Sequence, residues 1–259
     1  MTAPDTALKG LIDPDELVRR LGLRQVVAFA AHPDDVDFGA SATLAALADR
    51  GVEATLCLLT AGDAGGFDAE RSPQETARLR EKEQQEAAAV VGFQRVIQLN
   101  ERDGFLRPTD ELIGKIVEVM RTYRPDAVFS MHPERAWDRL QKSHPDHLAC
   151  GEAVVRACYP AVENPFAYPE LAAAGLEAFK IRHLLMMGAP RHLAQTAVDV
   201  TGYRDRKIGA LNRHFSQHRD AEAMVEFVTA GLAEAHGAGG SAEEFHHVVV
   251  NSEATISGF

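Results

Sequence analysis

Short apolar runs alternate with amphipathic stretches over the first 160 residues of the chain. Four runs predict buried strands: QVVAFAA at 25–31, ATLCLLTA at 54–61, RVIQL at 95–99 and DAVFSM at 126–131. Helical patterns lie between them, around 40–50, 74–91 and 109–123. Strands that alternate with helices indicate a parallel sheet. We therefore predict an α/β fold, with a Rossmann-like, mostly parallel sheet and helices on both faces.

The helix over 74–91 has the clearest boundaries. Ser72 is a good N-cap, Pro73 suits the first helical position, and Glu75 follows the cap by three residues. This is the pattern of a capping box, and Gly92 is typical of a helix end.

The pattern is less regular after residue 160, where a Pro-rich stretch covers 160–171. Beyond it we predict further strands at 182–188, 196–201 and 245–250, and helices at 202–216 and 220–236. No internal repeat or low-complexity tract divides the chain. We predict a single domain over 1–259, with the Rossmann-like part at about 20–160 and a smaller C-terminal α/β extension at about 161–259.

Composition limits the partners of this domain. A chain of 259 residues with 46% hydrophobic residues can bury a large core, and its formal net charge is −11. Such a charge argues against nucleic acid or an anionic membrane as partner, because both require clustered Lys and Arg. No stretch has the pattern of a signal peptide or a membrane span, so we predict a cytoplasmic protein. Cys57, Cys150 and Cys158 lie in apolar patterns and are predicted to be buried thiols.

Polar loops follow each of the first four predicted strands. They are HPDD at 32–35, TAGDAGG at 60–66, NERDGF at 100–105 and HPERAWDRLQKSHPDH at 132–147. Ligands of doubly wound folds bind at the carboxyl ends of the strands, so these loops are expected to form one site. The first loop lacks the G-x-G-x-x-G of a dinucleotide site and carries two carboxylates where a phosphate would bind.

The HPDD loop has a simple interpretation when it is taken alone. Pro33 would fix the backbone and an aspartate would cap the next helix. The SHPDH segment at 143–147 favours another interpretation, because it adds His144 and His147 at the same edge of the sheet. Two histidines and one carboxylate, with the fourth position left to water, form a catalytic zinc site.

The AHPDD and HPDH motifs, about a hundred residues apart, resemble those of the PIG-L/LmbE-like family of zinc-dependent N-deacetylases. The family includes enzymes of mycothiol and bacillithiol biosynthesis and N-acetylglucosaminyl-phosphatidylinositol deacetylases. The segment VDVTGYRDRKIGALNRHFSQ at 198–217 resembles the family's Asp…Lys…Ala…His-Ser-Gln segment. Val36 departs from the pattern, since many members have Glu there, but this position is none of the expected ligands.

The resemblance implies a metal site and a proton-transfer pair. His32, Asp35 and His147 would bind one Zn²⁺ per chain, which other divalent transition metals could replace. Asp34 would be the general base, and His144 the general acid or the group that stabilises the oxyanion.

Three further residues complete the expected site. Asp146 would fix the tautomer of His144. The alternative for this carboxylate is that its negative charge balances the positive end of the helix dipole. The resemblance assigns Arg80 and Asp103 to contacts with the sugar, although Arg80 also fits a solvated helix face.

Other histidines are left with open roles. His132 is expected to be uninvolved or to line the substrate pocket, and His214 is either functional or a packed helix residue. His246 and His247 point to opposite faces of a strand, so at most one of them reaches a site.

The function predicted from these residues is removal of an acetyl group from an N-acetylated amino sugar or glycoside by zinc-activated water. Related enzymes imply a homo-oligomer, either a trimer or a hexamer. One alternative is an amidase that acts on a thiol conjugate or a natural-product N-acyl group. Another is a non-catalytic binding protein with a metal-stabilised loop pair, which would have no use for a free carboxylate such as Asp34.

Overall fold

The computed structural model describes residues 7–252, so both ends of the predicted domain lie outside the described part. The strands are β1 Gly10–Ile12, β2 Gln25–Ala30, β3 Glu53–Thr60, β4 Arg95–Glu101, β5 Ala127–Met131, β6 His183–Met187, β7 Thr196–Asp199 and β8 Ala242–Val249. The α-helices are α1 Pro14–Leu21, α2 Asp35–Gly39, α3 Ser41–Ala48, α4 Pro73–Val91, α5 Asp110–Tyr123, α6 Pro145–Arg156, α7 Pro169–Ala173, α8 Arg204–Leu211 and α9 Ala221–His236. Within the described residues, no helix combines the length and the apolar character needed to cross a membrane.

The strands form one sheet in the order β4-β3-β2-β5-β6-β8-β7-β1. β8 pairs antiparallel with both β6 and β7, whereas every other pairing in the described sheet is parallel. The predicted α/β fold with a mostly parallel sheet is therefore confirmed. The three strands β6, β7 and β8 come from the C-terminal extension and continue the sheet of the Rossmann-like part.

The core lies on both faces of the central strands. β5 is buried along its whole length, and β2 is buried from Val26 onward. α3 is buried on all sides over Ser41–Leu47, because the sheet covers one side and α1, α4 and α8 cover the others. Strands buried on both faces explain why their sequences are continuous apolar runs and do not alternate.

The chain order of the strands creates a crevice at one edge of the sheet. From β2 the chain moves outward to β3 and β4, and then returns to place β5 on the other side of β2. Right-handed crossovers then put the helices after β2 and β5 on opposite faces, so the loops after these strands separate. HPDD follows β2 and SHPDH follows β5, so both motifs meet at this crevice.

Local sequence signals set several element boundaries as predicted. Ser72 and Glu75 form a complete capping box at the start of α4. Gly92 ends α4 in the left-handed region at φ 101°, which an L side chain rarely adopts.

The structure differs from the predicted elements in several places. The predicted helix at 202–216 stops at Leu211, and a 3₁₀ turn at Phe215–Gln217 follows, because the side chains of His214 and Ser216 turn inward to buried acceptors. The sequence pattern also gave no prediction of β1 and α1. β1 pairs with β7, a partner more than 180 residues away that no local pattern identifies.

A buried arginine organises the irregular Pro-rich stretch. Arg121 on α5 is only 2% exposed, and its guanidinium group donates hydrogen bonds to five backbone carbonyls. The acceptors are Ala161, Val162, Asn164, Ala167 and Leu176. Because buried carbonyls require donors, this one side chain allows a segment without regular structure to pack against the core.

Gly151 on α6 gives a test of this packing. A Cβ built there would lie 2.7 Å from the carbonyl carbon of His132 and the nitrogen of Pro133, both of which are backbone atoms. Gly151→Ala must therefore displace α6, which carries His147, and we expect it to lower the free energy of unfolding by about 1–3 kcal/mol in urea titrations. Gly231→Ala on α9 is the control, since its Cβ meets nothing within 4 Å and Ala favours helix. Equal stability of the two variants would contradict close packing at Gly151.

Candidate metal centre and active site

The HPDD loop turns sharply between β2 and α2. Asp34 is the residue before α2 and has φ 85°, a left-handed conformation that is strained for a side chain with a Cβ. Its carboxylate makes no capping hydrogen bond to α2. The interpretation of this loop as simple helix punctuation is therefore wrong for Asp34, whose side chain stays available to the site.

α4 holds the strained turn in place. Arg80 Nη2 donates to the carbonyl of Pro33 at 2.5 Å, and Gln84 Oε1 accepts from the backbone N–H of Asp34 at 2.9 Å. Arg80 and Gln84 are four residues apart and so lie on the same face of α4. They bind the carbonyl and the N–H of the same peptide group, between Pro33 and Asp34, and so hold the turn in its strained conformation.

The second motif begins α6. His144 is the N-cap, and its Nδ1 accepts a hydrogen bond from the backbone N–H of Asp146 at 3.2 Å. Pro145 occupies the first turn, and His147 follows His144 by three residues. The imidazole rings of His144 and His147 lie 5.1 and 5.3 Å from the ring of His32, so the crevice brings the two motifs together as predicted from the strand order.

Asp35 connects the two motifs directly. Its Oδ1 lies 2.9 Å from His147 Nε2, and its Oδ2 lies 3.5 Å from His32 Nδ1. Ligands bound to zinc at about 2.0–2.2 Å in a tetrahedron lie roughly 3.3–3.5 Å from one another. The separations of Asp35 from the two histidines are therefore close to those of zinc ligands, but His32, Asp35 and His147 are not one of the described sets whose candidate ligand atoms all lie within 4.8 Å of one another.

The second ring nitrogen of His32 and of His147, the one that does not face Asp35, also has a partner. His32 Nε2 lies 3.0 Å from Asp103 Oδ1 and 3.3 Å from Asp146 Oδ2, and His147 Nδ1 lies 3.5 Å from the carbonyl of Lys142. Metal-binding histidines usually donate their second N–H to a carboxylate or a carbonyl, which leaves the other nitrogen for the metal. This pattern selects His32 Nδ1 and His147 Nε2 as the metal-facing atoms.

Within the described residues, two sets of three side chains bring candidate ligand atoms within 4.8 Å of one another, and both contain His32. One adds His144 and His147, and the other adds Asp103 and Asp146. The two carboxylates already accept backbone hydrogen bonds from Ala64, Gly104 and Leu106. We therefore interpret Asp103 and Asp146 as groups that orient His32 rather than as ligands.

The electrostatics of the cluster favour a bound cation. Burial disfavours protonated imidazole, yet the carboxylates of Asp103 and Asp35 raise the pKa of His32 to about 11, and Asp35 raises the pKa of His147. Burial also opposes ionisation of Asp35, but the two histidines outweigh it and hold the pKa of Asp35 well below its usual value. Because these acids attract positive charge strongly, a divalent metal suits the site.

Asp34 has different surroundings from its neighbour. Burial raises the pKa of Asp34 to about 6, and the negative charge of Asp35 acts in the same direction. Arg80 opposes this shift, with Nη2 3.3 Å from Asp34 Oδ2. Two adjacent carboxylates therefore have pKa values displaced in opposite directions, which is typical of groups with separate roles.

The structure corrects the expected contact between Asp146 and His144. The main-chain N–H of Asp146 makes that contact, while the carboxylate is directed to His32 and to the N–H groups of Gly104 and Leu106. The tautomer of His144 is still defined, because an accepting Nδ1 leaves the proton of the neutral ring on Nε2. Burial and the nearby His32 and His147 lower the pKa of His144.

Arg80 and Asp103 were expected to contact the sugar, and both are largely buried. Arg80 is 4% exposed, which rules out the solvated-face interpretation, and it also donates to the carbonyl of Gly62 at 3.0 Å. Asp103 binds His32 and the backbone N–H of Ala64. Their contacts within the protein support the catalytic loop, and direct contact with a sugar stays a prediction.

The remaining histidines have partners away from this cluster. His132 Nε2 lies 3.0 Å from His246 Nδ1, and burial lowers the pKa of His132 to about 4, so the pair is neutral near pH 7. His247 lies on the other side of β8 and contacts His183. As expected for adjacent strand residues, His246 and His247 meet different surroundings.

A buried network behind α2 was missed by the sequence analysis. Asp37 is fully buried, and its Oδ2 accepts from Gln84 Nε2 at 2.8 Å and lies 2.9 Å from His214 Nε2. His214 is thus a buried residue that positions the first turn of α2, beside Asp34 and Asp35. A sequence signal existed, since Asp37 stands in an otherwise apolar stretch after the motif.

Lys207 and Glu243 form a buried ion pair at the junction of α2 and α3. Lys207 Nζ lies 2.6 Å from Glu243 Oε1 and donates to the carbonyls of Asp37 and Phe38 at 2.8 and 2.7 Å. Glu243 accepts from the N–H groups of Ala42 and Thr43. The cation therefore binds the end of α2 and the anion binds the start of α3, as the helix dipoles favour.

Removing one member of this pair tests its importance. Lys207→Met leaves the Glu243 carboxylate buried without its cation, so we expect a loss of about 3–5 kcal/mol in the free energy of unfolding by urea titration. The double variant Lys207→Met/Glu243→Gln removes both charges and should recover part of this loss. Arg204→Met, an exposed position on α8, should change stability by no more than about 0.5 kcal/mol. A single Lys207→Met variant as stable as Arg204→Met would disprove the role of the pair.

Comparisons with known proteins agree with this geometry. Residues 27–158 match the PIG-L family model, described as GlcNAc-PI de-N-acetylase. The chain is 30% identical to diacetylchitobiose deacetylase of Thermococcus kodakarensis over 195 residues, which cover 75% of this chain and 70% of the relative. It is 29% identical over 210 residues to a probable N-acetyl-alpha-D-glucosaminyl L-malate deacetylase 2 of Bacillus cereus, covering 78% and 86% of the two chains.

A solved structure has the same fold over most of its length. N,N'-diacetylchitobiose deacetylase from Pyrococcus horikoshii superimposes with a TM-score of 0.83 at 25% identity, covering 92% of this chain and 88% of the other. The family match spans β2 to α6, which carry all three expected metal ligands. The resemblance inferred from the AHPDD and HPDH motifs is confirmed, and the chain belongs to the PIG-L family.

Proposed function

We propose that the protein is a metal-dependent hydrolase that removes the acetyl group from an N-acetylated amino sugar or glycoside. One observation supports this most: the Asp35 carboxylate joins His32 and His147, while Asp34 beside it remains outside the ligand set. The named activities of the relatives, on diacetylchitobiose and on N-acetylglucosaminyl malate, support an N-acetylglucosamine-type substrate.

Zinc is the metal that this donor set fits best. Two imidazoles and one carboxylate form a common catalytic zinc site, and cobalt, nickel or iron can occupy the same ligands. When bound, the metal would supply the Lewis acidity that activates water and polarises the acetamide carbonyl. His32, Asp35 and His147 would hold it, and Asp103 and Asp146 would keep His32 in the required tautomer.

Asp34 is the general base in this scheme. Its carboxylate accepts the proton that the attacking water loses, and its raised pKa makes it a better proton acceptor than an ordinary aspartate. Arg80 and Gln84 hold its backbone in the strained conformation that directs the side chain to the site. We therefore attribute the strained backbone of Asp34 to its catalytic role.

His144 is the proton donor in this scheme. Its Nδ1 is bound by the N–H of Asp146, so its Nε2 carries the proton that can be donated to the oxyanion or to the departing amine. The side chain is exposed at the rim of the crevice, where a substrate can reach it.

A non-catalytic metal-stabilised binding protein is the rival function. Structural zinc sites use four protein ligands, whereas the proposed ligand set has three. A strained, uncapped Asp34 has no use in such a protein. The arrangement of residues therefore favours hydrolysis.

Metal content gives the first test of the proposal. We expect elemental analysis of the purified protein to find about one divalent transition metal per chain, most of it zinc. Asp35→Asn and His147→Ala should lose it, because each removes a ligand. Asp103→Asn should weaken metal affinity by roughly 10- to 100-fold, as loss of a group that orients a ligand typically does. Active protein that contains no metal would refute the ligand assignment.

Kinetics separate proton transfer from metal binding. Asp34→Asn and His144→Ala should retain metal and fold, but lose about 10²- to 10⁴-fold in kcat, because a positioned base or acid acts in the transition state. Acetate release from N-acetylglucosamine derivatives provides the assay. If Asp34→Asn releases the metal while Asp35→Asn keeps it, the roles of the two aspartates are exchanged.

A further inference from the structure

A buried hydrogen-bond network connects the segment after α8 to the backbone of Asp34. His214 Nε2 lies 2.9 Å from Asp37 Oδ2, and Gln84 Nε2 donates to the same oxygen at 2.8 Å. The other end of the Gln84 side chain, Oε1, accepts from the N–H of Asp34 at 2.9 Å. Asp37 and Gln84 therefore link His214 to the residue proposed as the general base.

The direction of each hydrogen bond in this network is fixed by Asp37. A carboxylate oxygen accepts hydrogen bonds, so Asp37 Oδ2 accepts from His214 as well as from Gln84. An amide side chain has one donating and one accepting end. Because the Gln84 nitrogen donates to Asp37, the Gln84 oxygen faces the N–H of Asp34. The orientation of the Gln84 amide, and with it the hold on Asp34, thus depends on the Asp37 carboxylate.

The network is closed to bulk water. The side chains of His214, Asp37 and Gln84 belong to residues that are no more than 1% exposed. Solvent therefore does not compensate for a lost partner. Without His214, the Asp37 carboxylate loses one of its two side-chain donors and is free to turn, and the Gln84 amide that it orients is released with it.

Stability alone does not explain the pair of His214 and Asp37. Asp37 Oδ1 and His214 Nδ1 are buried, and neither makes a hydrogen bond to any described residue. Unpaired buried polar atoms are costly, and a buried polar or charged pair is often no more stabilising than apolar side chains of similar volume. A role in holding the active site accounts for both polar groups at this position.

α4 also fixes the segment that carries His214. Glu83, which precedes Gln84 on α4, accepts from the backbone N–H of Ser216 at 2.8 Å and from its Oγ at 2.7 Å. Glu83 is itself buried. The imidazole of His214 is therefore held in place relative to the same helix that carries Gln84.

We propose that His214 is a positioning residue for catalysis: through Asp37 and Gln84 it holds the N–H of Asp34, and so maintains the strained backbone that directs the Asp34 carboxylate to the site. This inference rests on the proposed deacetylase function, in which Asp34 is the general base. His214 is fully buried and acts without touching the substrate.

Kinetics of metal-loaded His214→Met give the first test. Met fills a similar volume but cannot donate to Asp37. We expect kcat on N-acetylglucosamine derivatives to fall about 10- to 100-fold, since a small displacement of a catalytic group has effects of this size. KM should change by less than about twofold, because Asp34 acts in the transition state and not in substrate binding. His214→Gln keeps an N–H donor and should restore most of the lost kcat.

A double-mutant cycle with Gln84→Met tests whether His214 acts through Gln84. Each single variant should lower kcat, but the double variant should be slower than Gln84→Met by no more than about twofold, because members of one hydrogen-bond network are not additive. Full additivity of the two losses would overturn the proposed connection.

Asn251→Leu is the control for lost stability. Asn251 is buried, and its side-chain nitrogen donates to Glu163 Oε2 and to the carbonyl of Ile181, both at 2.9 Å. Its removal should lower stability and leave kcat unchanged. If Asn251→Leu loses as much kcat as His214→Met, lost stability explains the effect and the positioning role is disproved.

Hydrogen exchange at the Asp34 amide gives a readout that needs no substrate. Measured by NMR on the metal-loaded protein, exchange of this amide should be about 10-fold faster in His214→Met, because its hydrogen bond to Gln84 is weakened. Exchange in His214→Gln and Asn251→Leu should match the wild type. Metal content should be equal in all variants. Loss of metal from His214→Met would show that His214 acts on the ligand Asp35, and would disprove the connection to Asp34.

The two readouts keep this inference separate from the proposed function. If the wild type hydrolyses none of the derivatives, the deacetylase proposal fails for these substrates, but faster exchange at Asp34 in His214→Met still supports the connection. If the wild type is active and His214→Met changes neither kcat nor exchange at Asp34, the connection is disproved while the deacetylase function stands.

Discussion

The buried negative charge at the end of β2 is the constraint on which the rest of the site depends. Asp35, Asp103 and Asp146 surround the imidazole of His32, and Asp35 also contacts His147. Carboxylates are costly to gather away from water unless positive charge lies among them. Protonated His32 and His147 supply this positive charge in the structure, and the proposed divalent metal would supply more of it.

A second constraint keeps two neighbouring aspartates in different surroundings. Asp34 and Asp35 are adjacent in sequence, but α2 begins between them and a left-handed Asp34 directs their side chains apart. The strained turn persists because Arg80 and Gln84 bind it from α4, while Lys207 and Glu243 hold the far end of α2 from the C-terminal extension. The extension thus completes the site as well as the sheet.

Much of the fold follows from local pattern. The apolar runs that form β2, β3 and β5, and the capping box of α4, are short-range signals that the structure confirms. The helix predicted at 202–216 ends at Leu211, because His214 turns inward to the carboxylate of Asp37. Asp37 lies 177 residues away along the chain, so no local pattern indicates this contact. β1 was not predicted because its partner β7 lies more than 180 residues away along the chain.

The sequence by itself determined which residues meet at the edge of the sheet, because the HPDD and HPDH motifs and their positions after strands are local features. It determined the α/β class for the same reason. Only the tertiary structure decided how those residues are connected. It directed the Asp146 carboxylate to His32 and buried Arg80 against the HPDD turn. Each of these contacts joins segments whose distance and orientation depend on how the strands are ordered in the sheet, and that order is a property of the packed molecule.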